Sequence, residues 1–197
     1  MNYIFFFNNF INWIEINYIL SIFLFFTFIL FYSIFSLPGL IVFFVFSGYI
    51  FGIFISYLIC IVSFSLGSFC FFIISKNILS KLFKKYYAKY TNKVNKFIKN
   101  STLEYLIIFR LIPGTPLMVQ NIILSLLDIS SFRFILSTSI GATPFILFSI
   151  LIGNKLNNID SLKNFNSKDI FTVDLLLILF VIIFFIMIRV IYKKKNI

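Results

Sequence analysis

The chain has 197 residues, of which 61% are hydrophobic and 12% charged, with a mean hydropathy of +1.06. A water-soluble domain needs far more polar surface, so this composition excludes that class and predicts one compact polytopic membrane protein. The net charge of +11 comes from lysines gathered beside apolar segments, which is the pattern of cytoplasmic loops and not of a nucleic-acid-binding face. No histidine occurs, so Cys/His zinc sites and His-based catalysis are excluded. No metal or other cofactor is expected.

In chain order, residues 1–16 are aromatic and Asn-rich, with Trp13 and Tyr18 placed like interfacial anchors. No small-residue cleavage site follows, so the first hydrophobic segment, 17–36, is expected to stay as a span of about 20 residues. Pro38 and Gly39 break it. The next apolar block, 40–75, is too long for one crossing and short for two. Gly48 and Gly52 interrupt its first half. A re-entrant hairpin over 38–56 and a span over 57–75 fit that length. Cys60 and Cys70 would lie about 15 Å apart on one helix, too far for a disulfide.

Residues 76–100 hold eight lysines, with Leu79, Leu82, Phe83, Tyr86, Tyr90, Val94 and Phe97 at helical steps. This predicts a basic amphipathic segment. It is either a solvated cytoplasmic loop or a helix on an anionic leaflet, with Lys81, Lys84, Lys85 and Lys89 facing the membrane surface. The second apolar block, 102–153, is broken at Pro113, Gly114 and Pro116 and again at Asp128-Ile129-Ser130-Ser131. A hairpin over 102–128 and a span over 132–153 fit. Within that span, Pro144 beside Gly141 predicts a kink. Arg133 is expected as an interfacial anchor. Residues 154–174 form a loop of zero net charge, and a last span over 175–192 ends in Lys193-Lys194-Lys195.

These charges place 76–100 and the C-terminus on the cytoplasmic side and the neutral 154–174 loop outside; with one hairpin and one span per block, the N-terminus is then expected inside as well. Pro38-Gly39 is followed after 29 residues by Gly67-Ser68, and Pro113-Gly114 after 28 residues by Gly141-Ala142. Broken hydrophobic segments at matching positions of two halves point to an inverted repeat with a mid-membrane site. The expected fold is therefore all-α: two opposed re-entrant hairpins, each followed by a spanning helix, plus N- and C-terminal spans.

The motifs in order are Ser36-Leu37-Pro38-Gly39, Ser47-Gly48 through Gly52, Gly67-Ser68, Arg110-Leu111-Ile112-Pro113-Gly114-Thr115-Pro116 with Asn121, Gly141-Ala142-Thr143-Pro144, and Gly153. Over about residues 36–153 the chain resembles the DedA superfamily, in its VTT-domain branch, the SNARE-associated Golgi protein family. The resemblance implies movement of lipids across a bilayer, with phospholipid or a polyprenyl phosphate as partner and, for bacterial members, the cell inner membrane as location. DedA proper carries acidic residues in its first hairpin. This chain has none there, which makes the VTT branch the better match.

Arg110 is the candidate centre, because an arginine in apolar sequence beside a broken helix is a functional site by default. Its planar fork suits phosphate. Thr115, Gln120 and Asn121 add neutral hydrogen-bonding groups, and a helix restarting after Pro116 would add N–H donors. Snorkelling or pairing with Glu104 is the structural alternative. A lipid flippase or scramblase is the leading expectation. A scaffold recruiting partners or anionic lipid through 76–100 and a small-anion transporter are the others. No catalytic constellation or nucleotide-binding motif occurs, so no enzyme activity is expected. Which lipid is moved, the coupling ion and the oligomeric state stay open.

Overall fold

The computed structural model describes residues 2–82, 103–111, 116–127 and 129–157. They form six helices: α1 Asn2–Ile16, α2 Tyr18–Ile34, α3 Leu40–Leu82, α4 Leu103–Leu111, α5 Leu117–Leu126 and α6 Ser131–Asn157. No strand occurs among the described residues. The segment 112–115, Asp128, most of the basic stretch and the expected C-terminal span lie outside them, as do Pro113, Gly114, Thr115, Lys84, Lys85 and Lys89. Lys81 falls in the last turns of α3.

Helix α3 is two limbs, 40–51 and 53–82, joined at Gly52 with φ 71° and ψ 179°. That backbone region is essentially open to glycine alone. The chain reverses there. Ser47 Oγ lies 3.3 Å from Cys60 Sγ, Ser56 Oγ donates to the Ser47 carbonyl at 2.6 Å, and the Phe44 and Phe64 rings are 6.1 Å apart. In a continuous helix Phe44 and Phe64 would stand about 30 Å apart.

A second reversal lies at Ser36–Gly39. Tyr32 and Phe28 both meet Phe43 edge-on, at 5.0 and 4.8 Å, and the Tyr32 hydroxyl donates to the Pro38 carbonyl. Helix α2 is therefore the first arm of a hairpin, and limb 40–51 is the second. The hairpin expected over 38–56 differs from this pairing in its first arm, which is α2. The tip is Ser36–Gly39, and Gly52 is where the second arm turns into the long limb. Gly48 interrupts nothing: it lies inside the second arm.

The long limb 53–82 runs alongside α2, with Leu30 and Ser33 against Gly67 and with Ile22 and Phe25 in one cluster with Ile59. It runs antiparallel to α6, since Tyr57 meets Thr143 while Phe72 stacks on Phe134 at 4.2 Å. The Leu82 end thus lies beside the start of α6, and Asn157 lies at the Gly52 end. Helix α1, bent 106° from α2, packs at the Gly52 end through Phe7 on Tyr49 and Phe10 on Phe46.

Among the described residues, two helices can cross a membrane by length and composition, within Leu40–Ile78 and Ser131–Asn157, and the bent pair Phe5–Ile16 and Tyr18–Ile34 makes a third if it is one broken span. Alone, α2 has 17 residues, about 26 Å, and falls short of the roughly 30 Å hydrocarbon core.

Lipid-exposed helices gain nothing from mutual burial of leucines, so close contacts fall to small and polar residues. Gly48 sits against the Ile150 backbone, and Gly153 sits against Val45 and Tyr49. Side-chain hydrogen bonds join the long limb to α6: Tyr57 to Thr143 at 3.1 Å and Ser65 to Ser139 at 2.8 Å. Pro144 lies within α6 without ending it.

Candidate functional site around the buried Arg110

Arg110 occupies the last turn of α4, where a cation favours the negative end of the helix dipole. It is 5% exposed. Two other elements, α6 and α5, pack against it. Helix α6 presents one face at i, i+4 and i+7: Phe134, Thr138 and Gly141. A Cβ on Gly141 would lie 2.5 Å from Arg110 Cβ, so only glycine lets α4 approach this closely. The guanidinium lies over the Phe134 ring, with its carbon 5.0 Å from the centroid. Its Nη2 donates to Thr138 Oγ1 at 2.9 Å. From α5, Gln120 Oε1 accepts from Nη1 at 3.5 Å, a long bond. Among the described residues, buried Nε has no hydrogen-bond partner.

All of these partners are neutral. Among the described residues no carboxylate compensates the Arg110 charge, and Glu104 is exposed to the outside of the bundle. The structural alternative, an Arg110–Glu104 pair, is not what these helices form. An arginine also reaches its most favourable state with ionised acceptors, which hydroxyl and amide oxygens do not supply. The site as built is a buried guanidinium on neutral acceptors, an aromatic face and a helix C-terminus.

Asn121 follows Gln120 on α5 but turns the other way. It is 0% exposed, and its Nδ2 donates to Ser36 Oγ at 3.0 Å. Ser36 is the one non-glycine residue with positive φ (50°) among the described residues, and it sits at the tip of the first hairpin. Asn121 Oδ1 is buried without a partner. Helix α5 is therefore a cross-piece: Gln120 reaches Arg110, and Asn121 reaches the opposite half. It begins after Pro116, at φ −57° and ψ 137°, which starts the helix without needing an N–H donor.

Of the expected site residues, Arg110 and Gln120 are brought into contact, Asn121 is adjacent but bound to Ser36, and Thr115 lies outside the described residues. Arg133 is exposed on the first turn of α6, apart from the cluster. Thr138 and Phe134 were not expected. Their signal was available in the helical spacing that ends at Gly141, a spacing equally consistent with ordinary core packing.

The VTT domain matches residues 37–155. A curated relative, "Transmembrane protein 41 homolog" of Dictyostelium discoideum, is 27% identical over 168 residues, which cover 83% of this chain and 50% of that protein. The chain thus spans about half the length of that relative. No solved structure matches. The domain covers the second arm of the first hairpin, the long limb, the Arg110 cluster and nearly all of α6, and on that match the chain belongs to the VTT-domain family of multi-pass membrane proteins.

Proposed function

We propose that this protein moves lipids across the bilayer as a flippase or scramblase, with the headgroup phosphate bound at Arg110. The observation that carries the reading is the buried guanidinium held by neutral partners only. A phosphate oxygen would supply the acceptor that Nε lacks and relieve an uncompensated charge.

The architecture supports the same reading. The second arm 40–51 and helices α4 and α5, of 9 and 10 residues, are each shorter than about 20 Å and cannot cross a core of roughly 30 Å. Two helical pairs, α2 with 40–51 and α4 with α5, fit re-entrant hairpins. Each is followed by a long helix carrying a glycine packed on the first arm, Gly67 on α2 and Gly141 on α4. That correspondence favours an inverted repeat in which α5 of the second pair meets the turn of the first through Asn121 and Ser36. In transporters of that design the substrate site lies at the repeat interface. Lipid movement is also what membership of the family implies.

The antiparallel long helices place the Leu82 end and the Asn157 end on opposite faces. With the basic stretch cytoplasmic, α1 and Asn157 lie on the outer face of the membrane. On this reading the N-terminus lies outside, in contrast to the cytoplasmic N-terminus expected from one hairpin and one span per block, because α2 serves as a hairpin arm.

The test is lipid movement in liposomes, read with dye-labelled phospholipid and an impermeant quencher, for wild type beside Arg110→Ala. Wild type is expected to lose signal beyond the outer-leaflet half, and Arg110→Ala to stop at that half while reconstituting equally. Full activity in Arg110→Ala would remove the site from the reading. If wild type moves neither phospholipid nor polyprenyl phosphate but carries inorganic phosphate, a small-anion transporter replaces it.

A further inference from the structure

Arg110 is not the only cation on the aromatic stack. The Phe134 ring that carries its guanidinium lies 4.2 Å from the Phe72 ring, stacked at 28°. Phe72 in turn carries Lys76, whose Nζ is 5.7 Å from the ring centroid. Lys76 is one turn beyond Phe72 on the long limb, toward the Leu82 end, and is half-buried. Each ring of the stacked pair therefore carries one positive charge. Arg110 sits deep, and Lys76 is nearer the end where the basic stretch begins. Among the described residues neither cation is paired with a carboxylate.

We propose that Lys76 is a second headgroup-facing cation, stationed at the entrance to Arg110 from the Leu82 end, and that it selects phosphate headgroups of net negative charge. The proposal rests on the reading of Arg110 as the phosphate site. The reasoning is one of charge balance. Every phospholipid offers Arg110 a phosphate, so Arg110 by itself does not distinguish them. A zwitterionic headgroup brings its own ammonium, which Lys76 repels at close range in a poorly screened site. A headgroup bearing phosphate and neutral hydroxyls brings no such charge and is attracted by both cations. The two ring faces hold the cations through their negative quadrupoles without neutralising them, which a carboxylate would do.

The experiment compares transport of dye-labelled phosphatidylglycerol and phosphatidylcholine in the same vesicle composition, as the ratio of the two rates. Wild type is expected to favour phosphatidylglycerol. Lys76→Gln is expected to lower the ratio by about fivefold, the factor for one lysine near an anionic surface. Lys76→Arg is expected to retain it. Lys76→Met, which keeps an unbranched stem over Phe72, gives the same reading should Lys76→Gln fold poorly. Lys155→Gln removes a charge about 32 Å along α6 from Phe134 and is expected to leave the ratio unchanged. An unchanged ratio in Lys76→Gln and Lys76→Met overturns the proposal and leaves Arg110 standing. An equal fall in Lys155→Gln also overturns it, in favour of overall charge. Absence of lipid movement in wild type removes both readings together.

Discussion

Arg110 is held in place chiefly by the absence of a side chain opposite it. Gly141 leaves no room for a Cβ against α4, so Gly141→Val forces the helices apart and is expected to destabilise by about 1–3 kcal/mol, the usual range for overpacking. Gly67→Val overpacks the long limb on α2 in the same way, with Leu30 O at 2.5 Å, but does not touch the guanidinium. At matched folded amounts in liposomes, Gly141→Val is expected to lose lipid movement and Gly67→Val to retain more of it; equal activities would show that Gly141 matters only for stability. The arginine itself was legible in the sequence, since a charge beside Pro113 and Pro116 in apolar sequence is anomalous on its face. Its partners were less so. Thr138 and Phe134 are ordinary residues of a membrane helix, and only the folded approach of α4 to α6 gives them a role.

At the scale of the element, Gly52 decides the architecture. A Cβ there meets nothing within 4 Å, so the requirement for glycine comes from backbone conformation alone. Gly52→Ala is expected to lower stability by about 1–3 kcal/mol, seen as a lower melting temperature of the purified protein in detergent. An unchanged melting temperature would mean that the turn tolerates another conformation. The hydroxyl pairs between the long limb and α6 contribute less. A double-mutant cycle on Ser65→Ala and Ser139→Ala is expected to return a coupling near 0.6 kcal/mol, the average for such bonds in membranes. A coupling near zero would mean that the hydroxyls find other acceptors, such as helix carbonyls one turn back, as Ser63 and Thr143 do. The glycines were visible in sequence, but the work of each was not. Gly48 and Gly52 look alike as breaks, whereas one is a packing surface and the other a reversal.

For the molecule as a whole, the antiparallel long helices set the sidedness. In a Cys60→Ser, Cys70→Ser background, Asn8→Cys on α1 and Asn157→Cys at the end of α6 are expected to react with an impermeant maleimide from one side of a cell membrane. Ser80→Cys near the end of α3 is expected to react from the other. Labelling of Asn8→Cys together with Ser80→Cys would restore the cytoplasmic N-terminus expected from one hairpin and one span per block. The pairing of Asn121 with Ser36 joins α5 to the turn after α2 across 85 residues of sequence. Asn121→Ala is expected to loosen that junction and slow lipid movement without abolishing it, in the same liposome assay.

The sequence by itself determined the membrane class, the helical content, the second broken segment and its arginine, because hydropathy, proline chemistry and charge act locally and leave local marks. Tertiary structure alone decided that α2 is a hairpin arm, that the reversal falls at Gly52, and that Arg110 rests on Thr138 and Phe134. Those outcomes depend on which apolar surfaces meet. In a chain that is 61% hydrophobic nearly every surface is apolar, so periodicity carries little information about partners. The choice passes to the few glycines and hydroxyls that allow close approach, and their pairings are set only when the helices are brought together in space.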